Sequence, residues 1–131
     1  MTIQPIQPIQ PAGARPPAGH YSPAVVHGGL VYVSGQLPID PVTGDPCHGT
    51  IEEQAGQVLR NLALLLEASG SGLDRLLKVT IYVANVELWP AVNAVYARAL
   101  GQHRPARAIV PTGPLHHGFL IELEAVAALK A

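Results

Sequence analysis

The segment Thr50-Ile51-Glu52-Glu53 constrains this chain more than any other. A threonine followed three residues later by a glutamate is a capping box, in which each side chain satisfies a backbone N–H at the start of a helix. Ile51, Ala55, Val58, Leu59, Leu62, Leu65 and Leu66 then recur at helical spacing until Gly70, a natural stop. A helix with one apolar face needs a second layer to cover that face. The flanking sequence offers strands. Runs at 24–27 and 30–34 flank Gly28-Gly29, and two glycines between β-rich runs predict a hairpin, because a primed turn needs positive φ. Residues 76–84 alternate, which places Leu77, Val79, Ile81 and Val83 on one side and Lys78, Thr80 and Tyr82 on the other.

A second helix is expected from about Pro90 to Leu100, before Gly101, followed by strands over 106–110 and 119–128. The turn-rich Pro111-Thr112-Gly113-Pro114 separates these strands. The predicted order is β-β-α-β-α-β-β, an α+β arrangement with two helices on one face of a single sheet. Residues 1–19 stand apart. QPIQPIQP and Arg15-Pro16-Pro17 are proline-spaced, and proline removes donors and fixes φ, so this arm is expected to be extended or disordered. Residues 20–131 form the domain.

Charge is scarce. Lys and Arg number 8 and Asp and Glu 9, so 13 % of the chain is charged, about half the roughly 25 % usual for globular proteins. A chain of 131 residues has much surface to solvate, so part of it is expected to lie against other subunits. A net charge of −1 without a basic run argues against a nucleic-acid partner, since neutralising phosphates takes clustered Lys and Arg. No stretch is long and apolar enough to span a membrane, and MTIQPIQP shows no secretory signal. The single cysteine, Cys47, fits a reducing, cytoplasmic setting.

Few residues offer chemistry. In Ile121-Glu122-Leu123-Glu124-Ala125, period two puts both glutamates on the face away from the helices. That face is either simply wet or the wall of a site. If Ala106, Ala108 and Val110 face the helices, Arg107 joins the glutamates on the other face. There it is either a surface ion-pairing residue or a planar fork for a carboxylate. The six histidines lack metal-site spacing, and Cys47-His48 lacks a third orienting group. GxGxxG, Walker and GxSxG patterns are absent from the sequence. Tyr21-Ser22 and Ser34-Gly35-Gln36 lie beyond the ends of the hairpin strands, where turn-forming hydrogen bonds would account for them.

Taken together, 19–25, 31–36, Pro105-Ala106-Arg107 and 121–125 resemble the Rid/YjgF family of reactive-intermediate deaminases. Glu53-Gln54, Asn61, Lys78-Val79 and 92–96 extend the likeness over about residues 19–128. The resemblance implies a chorismate-mutase-like fold, a single mixed sheet, and a homotrimer with clefts between subunits. It implies hydrolysis of 2-imino acids and their enamine tautomers, such as 2-aminoacrylate, to 2-keto acids and ammonia, without a cofactor or metal. Arg107 matches the residue that grips the substrate carboxylate, and Glu122 the one that positions water. Tyr21, Ser34 and Asn93 match further cleft residues. The chain departs from the pattern at His20 and Pro23, and at Ile109, where a cysteine is frequent. A non-catalytic trimer, small-carboxylate-binding or chaperone-like, that uses the same cleft is the alternative.

Overall fold

The computed structural model describes residues 3–131. Six strands form one sheet: β1 (Gln7–Ile9), β2 (Ala24–His27), β3 (Leu30–Gln36), β4 (Leu76–Val83), β5 (Ala106–Pro111) and β6 (Ile121–Ala128). Helices α1 (Ile51–Ala68) and α2 (Trp89–Leu100) lie on one face of it. The strand order is β1-β2-β3-β6-β4-β5, antiparallel throughout except for the β4–β5 pair, which is parallel and joined through α2. The sheet is therefore mixed, as the fold class requires.

Local chemistry explains each element. Thr50 Oγ1 accepts from Glu53 N at 3.2 Å and Glu53 Oε1 accepts from Thr50 N at 3.0 Å, completing the capping box of α1. The helix ends at Ser69, and Gly70 follows with φ +85°. Pro90 occupies the first turn of α2, where its missing N–H costs nothing. Gly28 and Gly29 have φ +60° and +80°, as the tight β2–β3 hairpin demands. Proline-bearing β1 pairs with β2 (Gln7↔Val26, Ile9↔Ala24) at the outer edge, the position a sheet allows to proline. Part of the N-terminal arm is thus extended and docked on the domain rather than standing clear of it.

The core lies between the helices and one sheet face. Val58, Leu62 and Leu66 of α1 pack against Val31, Val79, Ile81, Leu123 and Ala127, all nearly inaccessible. Truncating a leucine such as Leu62 to alanine there costs about 2–5 kcal/mol. The sequence reading fails at one point in β4. A register break between Leu76 and Lys78 puts Leu76 in the core and leaves Leu77 47 % exposed, so strict alternation begins only at Lys78. The other sheet face has no helix over it. It carries Tyr32, Val110, Tyr82 and the two glutamates.

Candidate functional site

Arg107 does not share a face with the glutamates. In the parallel β4–β5 ladder Arg107 pairs with Val79 and Ile109 with Ile81, and both partners are core residues beneath the helices. Arg107 and Ile109 therefore point to the helix side, and Ile109 packs against the core. Ala106, Ala108 and Val110 take the open side instead. The apolar alternation misled because β5 is an edge strand. Its small apolar residues line the uncovered face, while its long polar one reaches the margin of α2.

There α2 receives it. Trp89, Asn93 and Tyr96 stand at i, i+4 and i+7, one stripe of the helix. Arg107 Nη1 donates to Asn93 Oδ1 at 2.9 Å. The guanidinium carbon lies 4.9 Å from the centroid of the Tyr96 ring and 5.6 Å from that of Trp89. Among the described residues the one ion pair joins Lys130 to Asp74, so no carboxylate neutralises Arg107. A charged fork held by π-faces and an amide keeps most of its donors for an anion.

Glu122 sits elsewhere. Its register partner is Tyr82, which pairs in turn with Val110. Two strand spacings and three residues of rise separate its backbone from that of Arg107, about 14 Å by ordinary sheet dimensions. The two side chains also leave the sheet on opposite faces. Glu122 is half-buried and lies against Gly35 of β3, at a break in the β3–β6 register. A Cβ on Gly35 would collide with the Glu122 carboxylate. Burial raises the Glu122 carboxyl above the usual carboxylate range, Glu124 adds to this, and His116 works against it. Glu124 itself accepts a hydrogen bond from Tyr82 Oη.

The β3 end gathers the remaining candidates. Ser34 Oγ donates to Ser22 O at 2.6 Å and Ser34 N to Pro23 O at 3.0 Å, which pins the loop bearing Tyr21 to β3 beside Gly35. Tyr21 is 54 % exposed and lines a cavity of about 350 Å³ beneath the proline-rich segment; neither Arg107 nor Glu122 lines it. The candidate residues thus form two groups. Tyr21, Ser34 and Glu122 surround the β3–β6 end of the sheet, and Asn93, Arg107 and Ile109 stand at the β5–α2 margin.

His116, which acts on the Glu122 carboxyl, belongs to a group of rings. His48 stacks on Phe119 with centroids 4.5 Å apart, and the His116 and His117 rings are 3.8 Å apart. Among the described residues no group of three or more His, Cys, Asp or Glu could hold a metal ion. No helix of the described residues is long and apolar enough to cross a membrane. Although 31–36 and 92–96 carry the resemblance, sequence reasoning gave no role to Gly35, Trp89 or Tyr96. The last two carried a signal, because they share a helical stripe with Asn93, but nothing local links that stripe to β5.

Comparison with known proteins gives the family. The family model described as Endoribonuclease L-PSP matches residues 12–129. The mitochondrial protein Mmf1 of Saccharomyces cerevisiae is 36 % identical over 128 residues, 98 % of this chain and 88 % of its own, and its crystal structure superposes with a TM-score of 0.91. The RidA structure from the Antarctic bacterium Psychrobacter sp. is 34 % identical at a TM-score of 0.88, covering 94 % of this chain and 99 % of that one. Escherichia coli TdcF, solved with bound serine, is 27 % identical at a TM-score of 0.87, covering 95 % of this chain and 99 % of that one. By matched length, identity and fold, the chain belongs to the Endoribonuclease L-PSP family, which is the YjgF/Rid family.

Proposed function

We propose that this protein hydrolyses reactive 2-imino acids and their enamine tautomers, of the 2-aminoacrylate kind, to 2-keto acids and ammonia. The observation that carries the reading is the un-neutralised Arg107 fork held at the α2 margin. Such a fork suits a planar carboxylate, which binds it through two parallel charge-assisted hydrogen bonds. Serine in the TdcF structure is a small carboxylate of this class.

The chemistry needs one more group. Water attacks the imine carbon and forms a C–O bond while Glu122 takes one of its protons. The C=N π pair moves to nitrogen, which receives that proton, to give a carbinolamine. Its hydroxyl proton then passes through Glu122 to the amine, the C–N bond breaks with its electron pair on the departing ammonia, and an oxygen lone pair closes the carbonyl. A carboxyl raised by burial accepts and returns a proton near neutrality more readily than an ordinary glutamate. No cofactor or metal enters this scheme.

Arg107 and Glu122 diverge within one chain, so a site that uses both draws them from two. The uncovered sheet face and the low charge fit a homotrimer with clefts between subunits, Arg107, Asn93 and Ile109 from one and Glu122, Ser34 and Tyr21 from the next. Ile109 supplies an apolar wall, and the single Cys47 fits a reducing, cytoplasmic setting. The test generates 2-iminobutanoate or 2-aminoacrylate in situ with an amino-acid oxidase or dehydratase and follows the keto acid. Acceleration lost in Arg107→Ala is expected. Wild type no faster than that variant would sink the reading, and capture of 2-keto acids without turnover would replace it with a carboxylate-binding role.

A further inference from the structure

The side chains around Arg107 do more than surround it. Asn93 Oδ1 accepts a hydrogen bond from Nη1, and the ring faces of Tyr96 and Trp89 lie within cation–π reach of the guanidinium carbon. Tyr96 differs from the other two in burial. It is 7 % exposed, its hydroxyl has no hydrogen-bond partner among the described residues, and the void beside it, lined by Val58, Ile81 and Leu123, has no room for water. Burial raises the Tyr96 phenol and Arg107 opposes the rise. The hydroxyl therefore satisfies nothing here, and what the residue contributes to its surroundings is the ring.

We propose that Tyr96 is a positioning residue for Arg107. Its ring face, braced by the core, works with Asn93 to fix the plane of the guanidinium, so that the Nε–Nη2 edge is presented to a substrate carboxylate. Asn93 then acts on substrate through Arg107 rather than by touching it. The inference rests on the carboxylate-anchoring part of the proposed function but not on turnover. A fork already oriented loses little freedom on binding, which is the advantage of preorganisation.

Trp89 is the sole tryptophan and lies against the same guanidinium, so its fluorescence reports the site without any catalysis. Titration of the unreactive products pyruvate and 2-oxobutanoate should change that emission in wild type and leave it unchanged in Arg107→Ala. Tyr96→Phe keeps the ring and should bind within about twofold of wild type. Tyr96→Leu should weaken binding about tenfold, the scale of a desolvated cation–π contact, and raise KM for imine hydrolysis more than it lowers kcat. Equal binding by a folded Tyr96→Leu would overturn the proposal. So would a loss in Tyr96→Phe as large as that in Tyr96→Leu, which would assign the role to the hydroxyl.

A second test does not depend on a core variant folding. The Arg107 guanidinium resonances, assigned by their loss in Arg107→Lys, should be displaced by ring currents and show slowed rotation about the Cζ–Nη bonds. A freely rotating, undisplaced guanidinium would overturn the assignment. If carboxylates bind as described but imines are not turned over, the catalytic reading fails and the positioning role stands.

Discussion

The β5–α2 margin and the β3–β6 end of the sheet handle charge in opposite ways. At the first, Arg107 is surrounded by groups that favour its charge, the Asn93 amide and two aromatic faces, and among the described residues by no opposing carboxylate. At the second, Glu122 is surrounded by features that disfavour its charge, namely burial and Glu124, with only His116 against them. A cation kept comfortable but unpaired is built to hold an anion. A carboxylate kept uncomfortable is ready to take a proton. The contrast separates binding from chemistry, and the opposite faces of the two strands separate them in space.

The largest effect expected from breaking this pairing belongs to Arg107→Ala. Losing the anchor should lower kcat/KM for imine hydrolysis by about a thousandfold, the scale of a lost oriented charge interaction, and abolish keto-acid binding. Glu122→Gln should leave binding within a few-fold and lower kcat by about a hundredfold, as for removal of one acid–base group. A split between binding and turnover is the comparison in measurable form. If each site takes Arg107 and Glu122 from different chains, unfolding and refolding a mixture of the two inactive variants should restore part of the activity. Mixtures as inactive as their components would place both groups in one chain's site.

Glu122→Gln also has a signature in stability. The folded-state carboxyl is raised above its unfolded value, so its favourable contribution is complete below the ordinary glutamate range and is lost as pH rises through the raised value. Ionisation of Glu122, once pH rises through that value, therefore burdens the fold. Denaturant titrations should find Glu122→Gln more stable than wild type at neutral pH, with the gap closing on acidification. A gap that stayed constant with pH would mean that the carboxyl is not raised.

Gly35→Ala sharpens the comparison from the other side. The added methyl would occupy the space of the Glu122 carboxylate, the movable end of a flexible side chain, so the fold should survive while the carboxylate shifts. About tenfold lower kcat, with keto-acid binding unchanged, is expected from a displaced catalytic group. Unchanged kcat would show that the placement of Glu122 over Gly35 is not the working one.

How much of this could be read in the chain differs between the two regions for a physical reason. Local signals located Glu122, both helices and the hairpin, because strand alternation, the capping box with its apolar stripe, Pro90 before Gly101, and Gly28-Gly29 each act within one or two adjacent elements. Alternation misassigned Arg107, since it cannot say which face of an edge strand is covered, and Ala106, Ala108 and Val110 are apolar on the uncovered one. Leu77 was misread because a register break interrupts the count. Gly35 and Tyr96 act on residues 87 and 11 positions away in other elements, and no local pattern carries such a pairing. Alternation wrongly put Arg107 and Glu122 on one face, and only the family resemblance gave them a shared role.

The smallest expected effect isolates a feature of the Arg107 region that binding assays ignore. Tyr96 contributes its ring to the cradle and leaves a hydroxyl buried without a partner. An unsatisfied buried hydroxyl forfeits its hydrogen bonds to water, a cost of about 1–3 kcal/mol. Tyr96→Phe removes the hydroxyl and retains the ring and nearly all its packing, so it should raise stability by about 1 kcal/mol. For a chain of this length that corresponds to a Tm increase of roughly 3–5 °C, while keto-acid affinity holds. Glu122 offers the parallel case, since Glu122→Gln should also stabilise, but at the expense of turnover. Tyr96→Phe should stabilise without that loss, because the group removed touches neither substrate nor Arg107. A lower Tm for Tyr96→Phe would mean that the hydroxyl is bonded in the working protein, and the cradle would then owe part of its rigidity to that bond.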